Sequence, residues 1–188
     1  MDRFITCVVN KIADTNPEFS ELELKKIAYG LECIIDEITK IIPYFIIFWI
    51  FSLHKYYLVI LLFFCPIRLF TGGYHAKTYW GCFFITFITF TAIIFMGKYI
   101  LINKMVLIAL LGISFILVCI FAPVDNVNKR IKSDQWRRKV KRISIAITFS
   151  LSVLCYFLPQ AFLNTAVVSI TFSAALMVLG KIIDLKIS

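Results

Sequence analysis

The amino-acid sequence predicts an all-α polytopic integral membrane protein, with about six transmembrane helices after an N-terminal amphipathic helical segment. Apolar residues make up 61% and charged residues 16% of the 188-residue chain, and the mean hydropathy is +0.89. Soluble domains are usually close to half apolar and a quarter charged. This composition therefore excludes a disordered or collagen-like chain and argues against an ordinary soluble enzyme.

Residues 1–40 are the most polar part of the chain, and they predict a cytoplasmic amphipathic helical segment. Ser20 and Glu23 have the spacing of a capping box, in which each side chain binds the backbone N–H of the other residue. After this box, apolar residues recur every three or four positions, which is typical of a helix that lies on a membrane surface. Residues 41–188 are expected to form the membrane-embedded domain.

Six apolar stretches follow, and the last four are long enough to cross a bilayer, which takes about 20 helical residues. The stretches are 41–53, 56–70, 79–96, 105–123, 143–163 and 165–183. The first two are short and contain Pro43, Pro66 and Arg68. Four crossings and a re-entrant pair are therefore the alternative to six crossings.

The distribution of charge predicts a multi-pass protein of the cell membrane with both termini in the cytoplasm. With six crossings, only Lys55, Lys98 and Lys104 of the 20 Lys and Arg residues lie outside. Cytoplasmic loops of membrane proteins carry an excess of Lys and Arg. Loops 71–78 and 124–142 are therefore predicted to be cytoplasmic.

The same features argue against several kinds of ligand. In a membrane protein the net charge of +9 fits the topology rather than a nucleic-acid partner. The six cysteines form no C-x-x-C pair and the chain has two histidines, so neither a metal nor a cofactor is expected.

The densest polar chemistry lies between Arg68 and Cys82, around a Gly72-Gly73 turn that is followed by His75. A thiolate is a nucleophile, and a neighbouring imidazole can take its proton and later protonate a leaving amine. In a continuous helix His75 and Cys82 would be about 10 Å apart. Part of the segment must then be non-helical, or the loop must curve. On spacing alone the signal is weak, since interfacial histidines and structural cysteines are common.

Three motifs in order resemble those of the AgrB family, membrane-embedded cysteine endopeptidases of Gram-positive peptide quorum sensing. The first is Gly72-Gly73-Tyr74-His75-Ala76 with Trp80-Gly81-Cys82 and the upstream Arg68; the others are Ala122-Pro123 before a basic run, and Tyr29-Gly30-Leu31-Glu32. The resemblance implies that Cys82 is the catalytic nucleophile and His75 its general base and later acid. It also implies an AgrD-like propeptide as substrate, an acyl-enzyme thioester, a thiolactone autoinducing peptide as product, and a homodimer.

Six further residues are candidates for binding or supporting the substrate: Glu32, Arg68, Gly72, Gly73, Lys129 and Arg130. Glu32 could orient His75 or hold the propeptide, or belong to a solvated acidic face. Arg68 could stabilise an oxyanion, or its side chain could extend to the lipid headgroups. The basic run 129–142 would attract anionic membrane lipid and the acidic end of such propeptides, or simply fix the topology.

Two other functions are compatible with the residues alone. A small membrane transporter or peptide exporter could use Arg68 and His75 to line a path for charge. The absence of a detectable internal repeat argues mildly against this alternative. A non-catalytic membrane scaffold is the other possibility.

Overall fold

The computed structural model describes residues 2–16, 19–73, 78–124 and 134–187, which form helices and turns without a strand among them. The helices of this part of the chain are α1 (Asp2–Thr15), α2 (Glu21–Ile50), α3 (His54–Thr71), α4 (Tyr79–Tyr99), α5 (Lys104–Phe121), α6 (Asp134–Cys155) and α7 (Gln160–Ile187). The all-α prediction is confirmed for the described residues.

Four of these helices, α3, α4, α5 and α7, are long and apolar enough to cross a membrane. The predicted count of six crossings is not confirmed. The last four apolar stretches were predicted to be long enough to cross, and the four helices do not coincide with them. The second stretch, 56–70, lies within α3, and the fifth, 143–163, does not form one helix. Pro66 lies inside α3 without ending it.

The predicted stretch 143–163 is divided between two helices. α6 ends at Cys155, and Pro159 directly precedes α7, with its carbonyl accepting from the N–H of Phe162 at 2.9 Å. The residue before a proline is disfavoured in helical conformation, so a break is favoured here. The apolar half of α6, residues 143–155, is about 20 Å long, which is shorter than the ~30 Å of a hydrocarbon core.

The predicted stretch 41–53 is the end of the long helix α2, which also contains Pro43. The helix ends at Ile50, where Ser52 adopts a positive φ of 57° and the N–H of Leu53 bonds the carbonyl of Phe48 at 2.7 Å. α3 begins at His54, and α2 is not among the helices that are long and apolar enough to cross a membrane, so a crossing by this stretch stays a prediction.

The chain divides into two compact units, residues 1–47 and 48–188. In the first unit, the capping box predicted before α2 is confirmed. The N–H of Ser20 donates to Glu23 Oε2 at 2.9 Å, and the N–H of Glu23 donates to Ser20 Oγ at 3.4 Å. Further along α2, Lys40 is buried and its Nζ lies 3.1 Å from Glu37 Oε1.

In the second unit, α7 is the central helix and packs against α3, α4, α5 and α6. Its contact with α4 is close, because Gly97 faces Thr165 with no room for a side chain. Small residues allow this approach between helices, as is common in membranes. The apolar core around α7 contains Phe63, Ile67 and Ile170, all fully buried.

Candidate active site

The Gly72-Gly73 turn follows the last residue of α3 and has a backbone that requires glycine. The φ angles of Gly72 and Gly73 are +71° and +131°, which residues with a Cβ rarely adopt. The N–H of Gly72 bonds the carbonyl of Arg68 at 3.1 Å. The predicted turn is therefore confirmed, and it begins directly at the end of the helix.

Arg68 is half-buried and its side chain turns toward this loop. Its Nη1 donates to the carbonyl of Gly72 at 3.0 Å, and Thr71 Oγ1 lies 3.4 Å from the same oxygen. A Cβ on Gly73 would collide with the Arg68 guanidinium. Arg68 is thus a positioning residue for the turn in this structure.

The turn is joined to the segment that follows α5. The N–H of Val124 donates to the carbonyl of Thr71 at 2.9 Å, and the Val124 carbonyl lies where a Cβ of Gly72 would be. Ala122 and Val124 are buried in a cluster that also contains Met177 of α7. The segments that follow α3 and α5 therefore begin at the same end of the second unit. The predicted loop 124–142 is wrong for residues 134–142, which belong to α6. The side of the membrane on which the two segments lie stays a prediction.

Helix α7 completes this end of the unit with two further contacts. The carbonyl of Leu176 lies 2.9 Å from the position that a Cβ of Gly73 would take. Lys181 places its Nζ 4.9 Å from the centre of the Phe121 ring, a cation–π contact beside the end of α5.

Cys82 is the fourth residue of α4 and is half-buried. Thr78 caps the helix: its Oγ1 accepts from the N–H of Gly81 at 3.1 Å, and its carbonyl accepts from the N–H of Cys82 at 2.9 Å. Thr78 itself is extended, with φ −119° and ψ 149°. A non-helical part between His75 and Cys82 is therefore confirmed at Thr78.

Four aromatic rings surround the start of α4. Trp80 lies 5.5 Å from Tyr79 and 5.8 Å from Phe83, and Phe83 lies 5.6 Å from Phe84, all measured between ring centroids. Trp80 is 64% exposed. Tryptophan and tyrosine are enriched at membrane–water interfaces, and Cys82 lies in the first turn of this apolar helix, beside Trp80 and Tyr79 in the sequence.

The structure brings together Arg68, Gly72 and Gly73 of the predicted site residues, and Cys82 lies in the first turn of the next helix, α4. His75, Lys129 and Arg130 lie outside the described residues, as do the surroundings of the Glu32 side chain on α2. Within the described ranges, no group of three His, Cys, Asp or Glu residues could hold a metal ion.

Sequence reasoning did not identify Thr71, Val124, Leu176 or Lys181 as part of this end of the unit. Thr71 directly precedes the glycines, and Val124 directly follows the Ala122-Pro123 motif. Their positions next to these two motifs were therefore the signal that could have identified Thr71 and Val124. Leu176 and Lys181 lie in an apolar helix and carry no local signal.

The apolar helices and the loop chemistry at one end define a multi-span membrane protein with a candidate cysteine site. Comparison with known families makes this more specific. The sequence model of the family Accessory gene regulator B (AgrB) matches residues 5–179. The chain belongs to the AgrB family, and its role lies in accessory gene regulator quorum sensing.

Curated relatives carry the same family name. The chain is 27% identical to accessory gene regulator protein B of Staphylococcus carnosus over 137 residues, which covers 73% of this chain and 71% of the relative. It is 28% identical to an AgrB-like protein of Clostridium beijerinckii over 159 residues, covering 84% and 78% of the two chains. No solved structure matches the chain.

Proposed function

We propose that the protein is a membrane cysteine endopeptidase that cleaves an AgrD-like propeptide and promotes its cyclisation to a thiolactone autoinducing peptide. Cys82 is the nucleophile and His75 is the general base and later the general acid. The observation that carries the proposal is the position of Cys82: half-buried at the capped start of α4, seven residues after His75, within the part of the chain that the AgrB family covers.

The other described cysteines support this choice. Cys65 and Cys119 lie inside apolar helices, Cys155 is buried at the end of α6, and Cys7 is exposed on α1. Cys82 alone among these described cysteines lies in the first turn of a helix and next to a loop. A nucleophile must be held in place and still be reachable by a peptide carbonyl, and this position meets both requirements.

The proposed reaction has two acyl-transfer steps. The Cys82 thiolate attacks the scissile carbonyl carbon, the C–N bond breaks, and His75 protonates the leaving amine, which gives a C-terminal fragment and an acyl-enzyme thioester. A thiolate of the propeptide then attacks the thioester carbonyl and displaces the Cys82 sulfur. One thioester replaces another, so ring closure needs no ATP.

The loop geometry gives Arg68 a supporting part in this reaction. The Arg68 guanidinium binds the carbonyl of Gly72, two residues before Tyr74-His75 in the sequence. Fixing this turn limits the positions that the next residues can take. We expect the site to act on the cytoplasmic side and the protein to form a homodimer, as the family resemblance implies.

The test is mass spectrometry of the full-length protein in lipid nanodiscs, incubated with an AgrD-like propeptide. Wild type is expected to release a C-terminal fragment and to gain the mass of the acyl group on Cys82. The Cys82→Ser and His75→Ala variants should release no fragment beyond the uncatalysed background.

Cys119→Ser is the matched control, because it removes one thiol from inside α5 and should leave fragment release within about twofold of wild type. Fragment release by Cys82→Ser at the wild-type rate would contradict the mechanism. Uptake of the intact propeptide into the lumen of lipid vesicles that contain the reconstituted protein would instead favour the exporter.

A further inference from the structure

One face of helix α6 concentrates positive charge just before the helix becomes apolar. Gln135, Arg138, Lys139 and Arg142 are spaced three and four residues apart and line, with Ile143, a shallow open cleft of about 460 Å³. Residues with this spacing share one side of a helix. The cleft is therefore lined mainly by cationic side chains, and an apolar side chain lies at one end of it.

These charges are unfavourable for the helix on its own. Like charges four residues apart, such as Arg138 and Arg142, repel each other. Asp134 is the acidic residue of the first turn. In the part of the chain that the structure describes, no carboxylate forms an ion pair with Arg138, Lys139 or Arg142. An external anion would remove this repulsion.

The cleft lies where the apolar half of α6, residues 143–155, begins. Residues 143–155 of α6 pack against α3 and α5, two helices long and apolar enough to cross a membrane. Continuing the cleft face along the helix leads to Phe149 and Val153, which are exposed apolar residues. The opposite face of α6 continues instead into residues that are buried in the bundle: Ser144, Thr148 and Leu151.

An exposed tryptophan marks the same level of the helix. Trp136 is 54% exposed, and Lys139 Nζ lies 5.5 Å from the centre of its ring. Tryptophan is enriched where headgroups meet the hydrocarbon of a bilayer. The cleft, its cations and this ring therefore lie together beside the start of the apolar half of α6.

We infer that this face of α6 is a binding site for the headgroup of an anionic phospholipid. Arg138, Lys139 and Arg142 bind the phosphate, since guanidinium groups match phosphate oxygens with paired hydrogen bonds. Gln135 donates to or accepts from the polar headgroup, and Ile143 contacts the glycerol and the first acyl carbons. The inference does not depend on the proposed peptidase activity.

A lipid fits these observations better than an acidic peptide. The cleft face runs without interruption into the exposed apolar face of the same helix. A molecule that fits both would have its phosphate in the cleft and its hydrocarbon chain along Phe149 and Val153. A phospholipid has this order of groups. An acidic peptide would use the cations and leave the apolar continuation without a partner.

The test compares two double variants with the same loss of charge. Arg138→Gln with Arg142→Gln removes two cations from the cleft, and Arg137→Gln with Lys141→Gln removes two from the opposite face. Full-length protein, stripped of lipid in detergent, is titrated with phosphatidylglycerol and with phosphatidylcholine, and bound lipid is counted by native mass spectrometry. Size-exclusion chromatography and circular dichroism establish that both variants are folded.

The cleft variant should bind phosphatidylglycerol at least about tenfold more weakly than wild type, since each of the two basic residues removed contributes roughly fivefold to binding at a membrane surface. The opposite-face variant should stay within about twofold, and phosphatidylcholine binding should be weak and equal in all three proteins. An equal loss in both variants would show diffuse charge attraction and overturn the inference. A soluble peptide of Asp and Glu residues is titrated in the same way. The inference would also be overturned if the cleft variant bound lipid as well as wild type but lost binding to this peptide.

Discussion

Replacing Gly72 by Ala should destabilise the turn that joins α3 to the segment before Cys82. Gly72 has φ 71° and ψ −154°, a combination that is accessible almost only to glycine. A Cβ at this position would also collide with the carbonyl oxygen of Val124. The backbone must therefore move in the variant, and the contact between the two loops must change with it.

The expected magnitude follows from two contributions. A residue with a Cβ held in this region costs on the order of 1–3 kcal/mol. Moving the Val124 carbonyl also weakens the hydrogen bond from the Val124 N–H to the Thr71 carbonyl, 2.9 Å long, which contributes about 0.5–1.5 kcal/mol. Together they predict a loss of about 1.5–4.5 kcal/mol in the free energy of unfolding, or roughly ten- to two-thousandfold in the unfolding equilibrium constant.

The assay is equilibrium unfolding of the purified protein in mixed micelles, with increasing sodium dodecyl sulfate and circular dichroism as the readout. Gly112→Ala is the control. Gly112 lies in α5 with no atom within 4 Å of a Cβ placed on it. Alanine there should be neutral or stabilising by about 0.5–1 kcal/mol. A Gly72→Ala protein as stable as wild type, or equal destabilisation by both changes, would refute the reasoning.

Three other substitutions test the packing and capping of the helices. Gly97→Val should lower the unfolding midpoint by forcing α4 away from Thr165, at a cost of about 1–3 kcal/mol; an unchanged midpoint would contradict the close contact. Ser20→Ala should increase hydrogen exchange at the first turn of α2, because the cap with Glu23 contributes about 1 kcal/mol, and exchange in α5 should not change. Phe63→Ala should cost about 3–5 kcal/mol in the same unfolding assay, since Phe63 is fully buried beside α7, whereas Phe149→Ala on the exposed face should cost far less.

The sequence was sufficient to predict the class of fold and the start of α2, because both depend on local patterns. Composition and apolar stretches predict membrane helices, and the Ser20–Glu23 spacing predicts the cap that the structure contains. The number of spans was not predictable in the same way. Mean hydropathy does not distinguish one long helix from two, so the break before Pro159 was missed.

The candidate site was predictable only in its local part. Two glycines after a helix indicate a turn, and Cys82 after Thr78 fits the start of α4. The bond from Val124 to Thr71 joins residues more than fifty positions apart, and no periodicity or spacing in either segment predicts that pairing. Such a contact depends on how α3, α5 and α7 pack together. No short segment of a single sequence indicates this packing.

The central position of α7 has a consequence for biosynthesis. A chain is made from its N-terminus, so α3, α4, α5 and α6 leave the ribosome before the helix against which all four pack. Until α7 arrives, residues that contact it, such as Gly97 beside Thr165 and Ser114 beside Thr171, lack these partners. The final bundle can therefore assemble only after α7 has inserted.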